Sequence, residues 1–359
     1  MRMNNLGKIP MTLLATLLLA ACNPFNQPAS MMDEYSERLE RVLDEPMVQS
    51  PVPTVEAMPR RRERVLEIPE LDMGLVDFLS LYGCELQVVV GERSSSLGRV
   101  MHPGTRLEYE VRFISAAERC LPDIDNERRA EMVQEAADAK VEHLPIAIWN
   151  ATWGSDELAK LFSRSQGALP RDMPYQSLSE ASRSVVTMVN ILEGLHNGTH
   201  PRELEPLHGI YQRWQSDATA GKLLRSAELM AIRLDDAARL IENRLEREPV
   251  CRNGEISRTG EIADGLFNAV YLEEVQPYMA DLQRARFELL PPLQTLLETQ
   301  QEQMPDHMAA FARRNLTEAE GSVWLALDRA TQRHSQAWQE LLQQCGLRPS
   351  PEEAAKDAS

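Results

Sequence analysis

Between Asp72 and Cys345 apolar residues recur every three to four positions and never settle into sustained alternation, a pattern that admits helices and little else. Gly74–Val90 carries Leu75, Phe78, Leu79, Tyr82, Leu86 and Val89 at helical spacing, which outweighs the strand-like run Val88-Val89-Val90. Thr105–Leu121 repeats the pattern, with Thr105 and Glu108 read as a capping box. Glu127–Val141 follows, and Leu144–Pro170 reads as short helices. Leu178–Leu195 ends at Asn197-Gly198, Pro201–Trp214 is shorter, and Thr219–Glu248 is long and amphipathic. Gly260–Gln300 contains Pro277 and Pro291-Pro292, where a lost interior N–H predicts a kink or restart. Thr317–Cys345 closes the series, with Thr317 and Glu320 as its capping box and Gly346 as its C-terminal stop. The expected fold is all-α, a multi-helix bundle of nine or ten helices with no fixed-period repeat.

The N-terminus carries an address. Arg2 and Lys8 precede Ile9–Ala21, an apolar run of 13 residues that is shorter than the ~20 needed to span a bilayer. Leu19-Ala20-Ala21-Cys22 then supplies small residues leading into a cysteine. The combination reads as a cleaved secretory signal over 1–21, with Cys22 as a lipidation site. Several acyl chains at ~0.8 kcal/mol per buried CH₂ would hold the protein stably on a membrane. The junction resembles a bacterial lipoprotein signal, and Asn23 is not the Asp that retains such proteins at the inner membrane; that resemblance implies the outer membrane, periplasmic face, with the inner membrane as the alternative. Residues 22–71 read as a lipidated tether, a short helix over Asp33–Leu43 and a linker over Glu45–Pro59 containing four prolines. The basic run Arg60–Arg64 is expected to be a solvated linker end, or else a contact with anionic headgroups. Residues 72–348 form the helical domain and 349–359 a polar tail.

Without the signal the chain has 36 basic and 55 acidic residues, a net charge of −19. Such a field repels phosphate backbones and argues against nucleic acid as a partner. At 43% hydrophobic the chain can build a substantial core. Export also bears on Cys84, Cys120, Cys251 and Cys345, an even number in an oxidising compartment. Three connectivities are possible; Cys84–Cys120 with Cys251–Cys345 is favoured because each pair brackets one half of the chain. Free thiols are the competing reading, and the spacing is wrong for zinc.

The most unusual local sequence is Gly91-Glu92-Arg93-Ser94-Ser95-Ser96-Leu97-Gly98-Arg99, between two helices. Together with the Cys22 motif, Leu107-Glu108-Tyr109-Glu110, Val275-Gln276-Pro277-Tyr278 and the four cysteines, it resembles an uncharacterised family of proteobacterial proteins predicted to be lipoproteins. That resemblance covers most of the mature chain and implies a fold and a location but no activity. Chemically, Glu92, Arg93, Ser94, Ser95, Ser96 and Arg99 are candidates for cradling an anion. Alternatively, serine and glycine satisfy helix ends while Glu92 and Arg93 clamp a neighbouring helix. No GxSxG or SxxK motif accompanies the serines, and only His102 lies near enough in sequence to serve them as a base.

His196, His200, Glu203 and His208 form a second cluster, read as a solvated turn because Gly198 and Pro201 interrupt any shared helix face. Trp149, Asn150 and Trp153 read as core, or as a partner-binding surface if exposed. No catalytic residue, metal or cofactor is assigned. The expected function is an envelope interaction or structural protein with a protein or lipid partner. The alternative is a binding module for a lipid or anionic small ligand in a cleft between helices.

Overall fold

The helical periodicity resolves into a bundle, seen in a computed structural model that describes residues 28–53, 57–69, 83–94 and 101–347. The helices are α1 (Pro28–Leu43), the single turn α2 (Arg61–Arg64), α3 (Glu85–Ser94), α4 (Pro103–Cys120), α5 (Glu127–Ala151), α6 (Asp156–Leu161) and α7 (Tyr175–His196). They continue with α8 (Pro206–Ser216), α9 (Thr219–Arg247), α10 (Arg258–Leu266), α11 (Gln276–Glu298), α12 (Asp306–Leu316) and α13 (Val323–Gln344). Ten of these have ten or more residues, and no strand occurs among the described residues. The fold is all-α.

The long helices α9 and α13 pack along each other, α7 lies against α11, and α4 and α5 form a hairpin. One large apolar core joins most elements. A smaller one gathers Leu86 and Val89 of α3, Phe113 and Ala117 of α4, and Val133 and Ala136 of α5. Cys84–Cys120 staples this satellite, with Cα atoms 5.8 Å apart. Cys251–Cys345 ties the end of α13 to the connection between α9 and α10, with Cα atoms 5.0 Å apart. Both pairings are those favoured from the sequence.

Proline is tolerated inside two helices because the carbonyls it orphans find other partners. Pro145 lies within α5, which runs to Ala151 instead of breaking into short helices. The carbonyl four residues earlier belongs to Val141, an exposed residue, so water can satisfy it. Pro291 and Pro292 lie within α11, which neither breaks nor restarts there. Phe287, four before Pro291, is exposed, and the Glu288 carbonyl accepts a hydrogen bond from Ser182 Oγ at 2.8 Å. Pro277 does mark a restart. A π-helical segment over Phe267–Val275 precedes it, and Gln276 N–H donates to the Tyr271 carbonyl five residues back.

Both expected capping boxes are displaced. α4 begins two residues before Thr105, at Pro103, with His102 as its N-cap. α13 begins at Val323 with Ser322 as its N-cap, whereas Thr317 terminates α12. A proline upstream of Thr105 and a serine downstream of Thr317 supplied the better starts. Gly346 stops α13 as expected, at φ +68°, with Leu347 N–H bonding to the Leu342 carbonyl.

The described parts of the proline-rich segment, residues 45–53 and 57–59, are held against the body, which corrects their reading as a linker. Met32, Tyr35, Leu39 and Leu43 of α1 are fully buried in the main core, so this helix belongs to the body. Beyond it, residues 45–53 run along α9, where Ser50 N–H and Oγ both donate to Asp236, at 2.9 and 2.7 Å. Arg60, Arg61 and Arg62 are exposed. Arg64 is buried and donates to the carbonyls of Pro59, Trp153 and Ser155 at 2.6–2.8 Å. Asn150 pairs with both backbone groups of Leu66. Side chains of the body thus satisfy a backbone that proline keeps out of regular structure.

Candidate functional site

Pro103 fixes the backbone for the first turn of α4 but offers no N–H, so the N-cap must serve the next donor. His102 does so: its Nδ1 accepts from Gly104 N–H at 3.3 Å. That leaves Nε2 as the ring's donor, and it meets Glu157 Oε1 at 3.0 Å. Ser155 caps α6 through Leu158 N–H, placing Glu157 in the first turn, where a carboxylate complements the helix dipole. Glu157 Oε2 is buried and has no partner.

The third wall is α8. Its residues His208, Tyr211, Gln212 and Gln215 fall at i, i+3, i+4 and i+7 and share one face. Tyr211 is held at both ends. Its hydroxyl donates to the Ala151 carbonyl at 2.6 Å, and its ring meets the His102 ring edge-on, with centroids 5.5 Å apart. The ring also lies where any side chain at 104 would stand, since a Cβ there would be 2.1 Å from Tyr211 Cε2. Glycine at 104 is what lets α4 and α8 approach.

These helices enclose an open cavity of about 420 Å³ lined by His102, Glu108, Glu157, His208, Tyr211 and Gln212, among others, within the size range of small-molecule sites. Its electrostatics are acidic. Burial raises the Glu108 pKa; Arg112 and His208 oppose this, and Glu203 adds to it. Burial also raises the Tyr211 pKa, and the Glu157 and Glu108 carboxylates reinforce the effect. Among the described residues, the lining contains neither lysine nor arginine. The arrangement offers hydrogen bonds and negative charge to a polar guest.

Few of these residues stand out in the sequence as functional. Glu108 reads there as a capping residue, and Glu157 falls within the stretch read as short helices. Of the His196 cluster, only His208 reaches the cavity. His196 Nδ1 lies 2.8 Å from its own helix's Leu192 carbonyl, and His200 Nδ1 lies 3.1 Å from Glu118. Among the described residues, no group of three or more histidines, cysteines or carboxylates is placed to hold a metal ion.

The loop singled out from the sequence is only partly visible. Glu92 pairs with Arg112 on α4 at 2.8 Å, which is the Glu92 part of the clamp described above. Arg93 lies close enough to Tyr109 and Lys140 to affect both electrostatically. Ser94 ends α3, while Ser95, Ser96 and Arg99 lie outside the described residues, as does Cys22. Trp149 and Trp153 are fully buried and donate to the carbonyls of Arg64 and Leu296, at 2.7 and 3.2 Å. They are core residues, not a surface pair.

No curated protein and no solved structure matches the chain. Residues 32–349 match the family described as "Protein of unknown function (DUF3080)", an interval that starts within α1 and ends just beyond α13. The chain therefore belongs to the DUF3080 family.

Proposed function

We propose that this is an envelope lipoprotein, anchored through Cys22 to the periplasmic face of the outer membrane, whose helical body binds a small polar ligand in the cavity between α4, α6 and α8. The signal and the Cys22 motif support the address, with the inner membrane as the alternative. Two disulfides suit an oxidising compartment. Only residues 23–27 separate Cys22 from α1, and five residues span at most ~18 Å. The body would then sit close to the bilayer, without a long spacer. Among the described residues, no helix is long and apolar enough to cross a membrane.

The observation that carries the binding role is the ligand-sized cavity itself, walled by α4, α6 and α8 and lined by His102, Glu108, Glu157, His208 and Tyr211. Binding is favoured over catalysis because His102 commits both ring nitrogens, to Gly104 and Glu157. The polar lining favours a polar ligand over the lipid considered from sequence. Native mass spectrometry of the full-length protein in detergent should show a bound small molecule that Tyr211→Ala releases. A clean apo mass for protein isolated directly from envelopes would refute it.

Exposed Tyr175 and Phe287 support a second reading, that of an envelope interaction protein. Their relative exposures are 64% and 74%, and Tyr175 reaches Glu288 beside Phe287. Cross-linking in envelopes should then recover one partner, and Phe287→Ser should lose it.

A further inference from the structure

We infer that the Cys84–Cys120 disulfide is a thiol-exchange site, opened by an external dithiol, and that its opening frees α3 from the body. The two disulfides differ in access. Cys84 is partly exposed, and both it and Cys120 line an open cavity of about 470 Å³ with Glu85, Arg119, Asp123 and Arg129, among others. Cys251 and Cys345 are each only 2% exposed. Gly260 also lies directly against their sulfurs, since a Cβ there would stand 2.6 Å from Cys251 Sγ and 2.9 Å from Cys345 Sγ. A disulfide is broken by a thiolate that reaches one of its sulfurs, so access selects the first bond and protects the second.

The exchange runs in two steps. A thiolate of the dithiol attacks Cys84 Sγ, the accessible sulfur, because Cys120 is only 7% exposed. The S–S bond breaks, and Cys120 leaves as a thiolate that takes a proton from water. The dithiol's second thiol then loses its proton and attacks its own partner sulfur in the mixed disulfide, releasing Cys84. Two electrons pass to the protein, and the dithiol becomes a disulfide. Cys84 suits release as a thiolate: it immediately precedes α3, at the positive end of the helix dipole, and its carbonyl accepts Gln87 N–H at 3.1 Å. What opens is a small unit. Apart from the disulfide, two ion pairs join α3 to α4, Glu85–Arg119 at 2.7 Å and Glu92–Arg112 at 2.8 Å, on partly exposed side chains that contribute little. Leu86, Val89 and Val90 add contacts in the satellite core. α3 also carries Gly91–Ser94, the described part of the stretch singled out from the sequence.

The test uses full-length protein in detergent micelles without denaturant. Dithiothreitol is the dithiol, N-ethylmaleimide traps the freed thiols, and peptide mass mapping assigns them. Cys84 and Cys120 should be trapped at least about ten times faster than Cys251 and Cys345. Glutathione, with no second thiol in the same molecule, should accumulate as a mixed disulfide on Cys84. Hydrogen exchange in α3 should rise on reduction while α9 and α13 keep their protection. The Cys84→Ser/Cys120→Ser variant should reproduce that pattern without reductant. Comparable trapping rates for the two pairs, or faster trapping of Cys251 and Cys345, would overturn the inference. So would a Cys84–Cys120 bond that resists dithiothreitol until the whole protein unfolds. A mixed disulfide on Cys120 would reject Cys84 as the sulfur attacked, and loss of protection in α9 and α13 together with α3 would reject the local release.

Discussion

Replacing Gly104 by alanine sets two physical effects against each other at the wall of the cavity. Helix propensity favours the change: Gly→Ala in an open helical position stabilises by up to ~1 kcal/mol. Packing opposes it. The new Cβ would stand 2.1 Å from Tyr211 Cε2, 2.8 Å from Cζ and 2.9 Å from the hydroxyl oxygen. The ring cannot retreat freely, because its hydroxyl is bonded to the Ala151 carbonyl at 2.6 Å. Overpacking costs about 1–3 kcal/mol, and a lost hydrogen bond adds about 1 kcal/mol. The net expectation is destabilisation by about 2 kcal/mol. Gly209, on α8 itself, has open space around its Cβ position, so Gly209→Ala should stabilise by roughly 0.5–1 kcal/mol. Urea unfolding followed by tryptophan fluorescence compares the two. In a Tyr211→Ala background the sign for Gly104→Ala should reverse, giving a coupling energy of about 3 kcal/mol in the double-mutant cycle. If Gly104→Ala stabilises the otherwise unaltered protein as Gly209→Ala does, the α4–α8 contact is not the one described.

Further expectations test the remaining framework. His334 is fully buried, with its pKa lowered by desolvation to about 3. Its unfolded form takes up a proton below about pH 6.5 while the folded form does not, so stability falls as pH drops through that window. The loss should reach about 2 kcal/mol at pH 5, and His334→Gln should flatten the slope in pH-dependent urea midpoints. Arg64→Met removes the donor for three backbone carbonyls and should cost about 3 kcal/mol, with limited proteolysis cutting first at residues 57–69. Cys251→Ser/Cys345→Ser opens a loop of 94 residues, worth about 4.7 kcal/mol on the chain-entropy model, and should lower the global unfolding midpoint. Cys84→Ser/Cys120→Ser should instead expose α3 to hydrogen exchange while protection of α9 and α13 persists, because α3 packs chiefly on α4.

Apolar spacing determined which stretches become helices and which face each turns inward. α9 and α7 match their expected ranges closely because an amphipathic face is a local, repeating signal. The expected export and the even number of cysteines favoured disulfides, and the bracketing of each half of the chain favoured the pairing that the structure shows. Helix starts and prolines were less legible. Whether proline breaks a helix depends on what satisfies the orphaned carbonyl, and Ser182, which serves that of Glu288, is 106 positions away. The proline-rich strap misled for the same reason: Arg64 finds its partners about 90 positions downstream.

The candidate cavity belongs wholly to tertiary structure. His102 and Glu157 are 55 positions apart, Ala151 and Tyr211 are 60 apart, and nothing in the periodicity links them. Periodicity encodes how much of a helix is buried, but not which helix covers it. The glycine that lets α4 meet α8 looks, in sequence, like any other residue near a helix start. By itself the sequence settled the helical class and proposed the membrane address. Only packing decided where two carboxylates meet a pair of aromatic rings around an open space, because that depends on contacts between distant turns.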